Sequence, residues 1–241
     1  MLPVELIDHI FNFLRNDTSA LQACSKAHPL YSRLAERHLY REFVIEPLAV
    51  SELYKHLSEN PRFLDYPRTL HIRCGLHFHV NPSESVLLIM PMIPRMTNLI
   101  SLTLHDLPCP FDLYDDFIST FRNCLPQLSI EQLCLISLYD FPLSVLDNCK
   151  TIKQLMLSDC TAEKQPVSSS PSSQQTLETL VLSNDHNPDL HVWATRRVTR
   201  LTSLGLCDFA LDLEWTAFPG LLAACSNSLT SLHLDINCLC M

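Results

Sequence analysis

Hydrophobic and polar positions alternate along this chain with two different periods. Over residues 3–15, Leu6, Ile10 and Leu14 recur at i, i+4 and i+8, the spacing that places side chains on one face of a helix. Pro3 suits the first turn of that helix, where a missing N–H leaves nothing unpaired. Asn16 and Asp17 break the pattern. Ser19 followed by Gln22 has capping-box spacing and opens a second short helix through Leu21 and Cys24. His28-Pro29 interrupts it, and Pro29 starts a third helix with Leu30, Leu34 and Leu39 as its apolar side. Three short helices make too small a core to stand alone, so this module leans on a partner or on the rest of the chain.

From residue 67 the period changes. Leu99–Leu104 reads L-x-x-L-x-L, and so, with Ile allowed first, do Ile130–Leu135, Ile152–Leu157, Leu177–Leu182, Leu201–Leu206 and Leu229–Leu234. A weaker copy, PRTLHI, runs from Pro67 to Ile72. Alternate side chains of a short strand share a face, so the last two leucines of each unit point into a common core while the first anchors the turn before it. One unit cannot bury its leucines alone; stacked units can. Helix-compatible stretches such as Phe111–Cys124 and Phe218–Cys225 follow several of these strands. The spacing overlaps the period of leucine-rich repeats, and the chain resembles an irregular member of that class. Residues 46–66 read as a helical connector, and the Ser/Pro/Gln-rich stretch 161–176 reads as a mobile loop that contains the dipeptide Ser170-Pro171.

The opening Leu2-Pro3-Val4-Glu5-Leu6-Ile7-Asp8-His9-Ile10 resembles the start of an F-box, in which Leu-Pro, Glu-Leu and a further aliphatic residue recur at this spacing. Leu21, Cys24 and Ala27 follow its later pattern loosely, Tyr31 stands where the family usually has Trp, and His38-Leu39-Tyr40 is similar to fungal F-box proteins. The resemblance implies an α+β fold: a three-helix F-box over 1–45, a connector over 46–66, and an irregular leucine-rich-repeat α/β solenoid with a curved parallel sheet over 67–241. It also implies a role. The chain would be the substrate-recognition subunit of a Skp–cullin–F-box ubiquitin ligase, with a Skp-family adaptor and, through it, a cullin as partners, and with an unknown protein substrate. The alternative is a ligase-independent protein-binding scaffold with a degenerate F-box. Leu2, Pro3, Leu6, Ile10 and Tyr31 are the expected adaptor contacts. Residues on or just after the strands are the expected substrate contacts: Thr103, His105, Asp106, Cys134, Met156, Ser158, Asp159, Val181, Ser183 and Asp208.

Composition narrows the function classes. Gly75, Gly205 and Gly220 are the only glycines, too scattered for a phosphate-cradling loop. The net charge is −9; the first 45 residues balance five acids with five bases, and the excess lies behind them. That sign argues against nucleic acid and mildly favours a basic partner. No basic leader precedes an apolar run, and the run Val86–Ile93 is too short to span a bilayer, so no membrane partner is expected. Eleven scattered cysteines fit reduced thiols in the cytoplasm or nucleus. Cys74, His77 and His79 lack the further ligand pair that structural zinc needs, and Cys238-Leu-Cys240 has too short a spacing. Asp115-Asp116 do not face each other on a helix, and no nucleophile elbow or H-E-x-x-H is present, so neither enzyme activity nor a cofactor is expected. Trp193 with Arg196 and Arg197 could form an interaction patch or pack internally. The last triplet is followed by only seven residues where stacked units close with a cap, so either a truncated product or a divergent gene is expected.

Overall fold

The computed structural model describes residues 2–46, 49–73, 87–106, 111–138, 141–161, 177–183, 188–197, 200–207 and 218–235. Three helices open the chain: α1 (Val4–Phe13), α2 (Thr18–Ala27) and α3 (Pro29–Leu39). Pro3 sits just ahead of α1, and its carbonyl accepts from the Leu6 N–H. Asp17, and not Ser19, caps α2: its carboxylate accepts from the Ala20 N–H at 2.9 Å and from the Ser19 hydroxyl at 2.7 Å. The capping-box reading is thereby corrected by two residues. His28 caps α3 through its Nδ1, which accepts from the Leu30 N–H, and Pro29 fills the first position. Ile7, Phe11, Leu21, Leu34 and Ala35 form a small core of their own, with Leu14, Cys24, Tyr31 and Leu39 against it.

Behind this head lies one eight-stranded, all-parallel sheet whose strands follow chain order. They are β1 (Glu42–Ile45), β2 (Thr69–Arg73), β3 (Ser101–His105), β4 (Gln132–Ile136), β5 (Gln154–Ser158), β6 (Thr179–Ser183), β7 (Ser203–Cys207) and β8 (Ser231–Asp235). Parallel neighbours need crossovers. These are supplied by α4 (Val50–Glu59), α5 (Phe111–Cys124), α6 (Pro188–Arg197), α7 (Phe218–Cys225) and short 3-10 segments such as Met90–Arg95 and Leu143–Asn148. The shortest repeat, from β4 to β5, crosses over on the 3-10 segment Leu143–Asn148 and, among the described residues, has no α-helix.

The register explains why the triplets recur. Leu70, Leu102, Leu133, Leu155, Leu180, Leu204 and Leu232 lie side by side across seven strands, and Ile72, Leu104, Leu135, Leu157, Leu182, Leu206 and Leu234 form a second row. All but Leu232 and Leu234 are buried in one continuous core. The strand starts are stitched by a repeated bond pattern. Each of the carbonyls of Ile100, Glu131, Lys153, Glu178 and Thr202 accepts from two successive N–H groups of the next strand's start. The strands β3, β4 and β5 end alike, on Asp106, Ser137 and Asp159, all at φ near +50°. Asp and Ser tolerate that left-handed turn better than branched residues do.

The expected fold class is corrected. An eight-stranded all-parallel sheet with helices starts at Glu42, directly behind the three helices, where a connector over 46–66 and a repeat domain from 67 were expected. Phe43 and Ile45 of β1, and Val50 and Leu57 of α4, belong to the same core as the leucine rows. The stretch read as a connector is therefore a crossover of the sheet. Among the described residues no ladder joins β1 to β8, so the sheet has two edges.

Candidate docking surfaces

The helix α1 is two-sided. Ile7 and Phe11, one turn apart, are buried in the head, with Leu14 packed beside them. Leu2, Val4, Leu6, Ile10 and Phe13 remain exposed, Leu6 at 51% and Phe13 at 76%. The His9 ring meets Phe13 edge-on at 4.9 Å, which holds the aromatic pair on the outer side. The expected apolar face, Leu6-Ile10-Leu14, is thus split: Leu14 turns inward and the other two outward. Of the expected adaptor contacts, Leu2, Pro3, Leu6 and Ile10 are all exposed on or beside α1. Tyr31 is not with them. It packs inside the head, edge-on to Phe11 at 6.1 Å and against His28 at 5.4 Å.

The open face of the sheet is a second surface. Val44, His71, Thr103, Cys134, Met156, Val181, Gly205 and His233 form its middle row in matched register. Of the expected substrate contacts, Thr103, Cys134, Met156 and Val181 therefore stand side by side across β3 to β6. His105, Ser158 and Ser183 sit at strand ends. His105 Nδ1 lies 2.8 Å from the Asp106 carboxylate, and Ser183 is buried. Asp106 and Asp159 occupy the left-handed turns that end their strands, so backbone geometry accounts for both. Asp208 lies outside the described residues. The reading of sequence missed Val44, His71 and His233, and the spacing Tyr40-x-x-Phe43-x-Ile45 is the signal that could have placed the first of these.

The electrostatics of both surfaces are mild. Burial pushes the Cys134 thiol up, away from the thiolate a nucleophile needs. Lys153, hydrogen-bonded at 2.8 Å to Glu131 on the exposed strand-start rim, is pushed up by that bond, a contact of little weight in water. Between head and sheet lies a cleft of about 630 Å³. Arg37, Arg41 and Arg68 there face Glu5, Asp8 and Asp65, which leaves no charge excess to draw an ion. His38, largely buried in this cleft, contacts Asp8 at 3.1 Å and ties α3 to α1. Trp193 is buried in the core next to exposed Val192. Among the described residues no group of three His, Cys, Asp or Glu could hold a metal. Cys74, His77, His79, Ser170, Pro171, Cys238 and Cys240 lie outside the described residues. Asp115 and Asp116 lie in α5. No helix of the described residues is long and apolar enough to cross a membrane.

No family model matches the chain, and no curated protein matches it. Among solved structures, a sugar phosphate isomerase/epimerase from Parabacteroides distasonis ATCC 8503 is similar over 81% of this chain and 86% of its own, at 10% identity and a TM-score of 0.24. At that level the likeness carries neither a shared fold nor a shared chemistry to this chain. The expectation of a ubiquitin-ligase substrate receptor made of an F-box and leucine-rich repeats, or of a scaffold derived from one, is corrected. No family or curated match supplies either module, and the connector that would separate them is a crossover of one parallel sheet that starts at Glu42.

Proposed function

We propose that the chain binds another protein through the outer face of α1. The observation that supports this is the two-sidedness of that helix. A stand-alone head would turn its second apolar stripe inward or replace it with polar residues, yet Leu2, Val4, Leu6, Ile10 and Phe13 stay in solvent. Covering the exposed half of each such side chain yields about 1 kcal/mol apiece, enough together for a specific interface.

The chemistry of the partner follows from the charges. Within α1 the charged side chains are Glu5 and Asp8, and there is no Lys or Arg. A membrane surface recruits helices with basic polar faces, so a bilayer is a poor match. A protein groove with an apolar floor and a basic rim fits better. The proposal carries no role in ubiquitin transfer.

A photo-crosslinking amino acid at position 10 tests it. Crosslinks from intact cells to one protein, lost on Leu6→Asp, followed by direct binding of that purified protein to the full chain, are the expected result. A variant with Leu6→Asp and Phe13→Asp that still binds with full affinity would overturn it.

A further inference from the structure

The two edges of the sheet differ. At β1, Phe43 and Ile45 are buried, and Tyr40 meets Phe43 edge-on at 6.0 Å. At β8 nothing equivalent is present among the described residues. Every residue from Ser231 to Asp235 is exposed, with Leu232 at 45% and Leu234 at 42%. On one side the strand pairs with β7. Among the described residues its other side has no ladder partner, and the backbone N–H and C=O groups there can be paired in series only by another extended chain.

We propose that β8 pairs antiparallel with β8 of a second copy of this chain, about a two-fold axis that passes through His233. Three features select this occupant. First, head-to-tail growth onto β1 of another copy meets an edge whose core-side apolar residues, Phe43 and Ile45, are already covered, so the core-side leucines of β8 find no open row to join there. Second, the sequence Ser-Leu-His-Leu-Asp is self-complementary in this register. Leu232 lies opposite Leu234 of the other copy, twice, and no leucine faces a polar residue. Asp235 lies opposite Ser231, whose hydroxyl donates to it, so the two carboxylates do not meet. Third, a two-fold axis perpendicular to the sheet keeps both leucine pairs on the core side and makes the open faces continuous. Registers displaced by one residue put the leucines of one copy on the opposite face.

The register gives the test its resolution. Facing residues of an antiparallel pair stand about 4.5–5.5 Å apart at Cα, inside the range of about 4.4–6.8 Å that a disulfide accepts. Residue 233 faces itself. The full-length His233→Cys chain, oxidised at micromolar concentration and mapped by peptide mass spectrometry, should yield a covalent dimer linked from 233 to 233. Light scattering on the unmodified chain should show a dimer that dissociates on dilution. Leu232→Lys with Leu234→Lys should give a monomer with an unchanged thermal transition in dilute solution, since both side chains are exposed in the single chain. The proposal is overturned by a chain that stays monomeric at every concentration. It is also overturned by a dimer without the 233–233 bond, or by one that dissociates on Leu6→Asp, which would move the contact to α1.

Discussion

Leu204 and Leu232 face each other in register on neighbouring strands and occupy the same position of the same triplet, yet one is fully buried and the other nearly half exposed. The difference is positional. Leu204 has a leucine row on both sides, Leu180 and Leu232, and among the described residues Leu232 has such a neighbour on one side only. Leu204→Ala should therefore cost about 2–5 kcal/mol of unfolding free energy, the range for a full core cavity. Leu232→Ala, measured in dilute solution where copies are apart, should cost less than about 1 kcal/mol. Denaturant titration of both variants checks the contrast, and equal losses would mean that the row is not what buries these residues.

On α1 the same logic applies to adjacent residues. Ile7 is buried in the head and Leu6 is exposed beside it. Ile7→Ala should cost about 2–5 kcal/mol, and Leu6→Ala under about 1 kcal/mol. Hydrogen exchange of the α1–α3 amides reports the head separately from the sheet. Faster exchange in the head for Ile7→Ala, with little change for Leu6→Ala, is the expected pattern.

These two helix faces also show where the sequence stopped being legible. Leu6 and Ile10 have helical spacing, and so do Ile7 and Phe11; periodicity alone does not say which stripe turns inward. Only the contact with Leu21, Leu34 and Ala35 decides. The sheet was more legible, because each L-x-L repeats at a fixed phase, and all six strong triplets and the weak PRTLHI lie on strands. The first strand escaped because Tyr40, Phe43 and Ile45 hold the triplet positions without a leucine among them. That omission turned a crossover helix into a connector and made one sheet look like the tail of a separate head. The left-handed turns at Asp106, Ser137 and Asp159 were not legible, because no residue type in the sequence requires them.

The cap of α2 makes a prediction in pH. The Ser19 hydroxyl, and then the Ala20 N–H, donate to the Asp17 carboxylate and hold its pKa below the ordinary value of 3.8. A carboxyl that is more acidic in the folded chain stabilises the fold fully above the unfolded value. That contribution is lost as pH falls below it and through the depressed folded value. Asp17→Ala should lower the melting temperature at neutral pH, and the gap to the unmodified chain should close as the solution is taken well below pH 3.8. Asp17→Asn, which can still accept from Ala20 but carries no charge, should fall between the two at neutral pH and lose the acid dependence. A gap that stays constant down the acid limb would show that the charge is not what the cap supplies.

Gly205 and Val181 share the middle row of the open face, on adjacent strands. A Cβ built on Gly205 would stand 3.3 Å from Val181 Cγ2 and 3.5 Å from Cγ1, so the glycine leaves room for a branched neighbour. The substitution Gly205→Ala meets two opposed effects. It restricts the unfolded chain, which favours folding by about 0.4–1 kcal/mol, and it presses on the valine, which opposes it. In a Val181→Ala background the two γ-carbons are gone and the nearest remaining atom is Val181 Cβ, at an ordinary 3.7 Å. Gly205→Ala should then stabilise the chain, while in the unmodified chain the gain should shrink or change sign. The double-mutant cycle should give a coupling of about 0.5–1 kcal/mol, as expected for residues in direct contact. A coupling indistinguishable from zero would mean that Val181 yields freely and that Gly205 is not there to accommodate it.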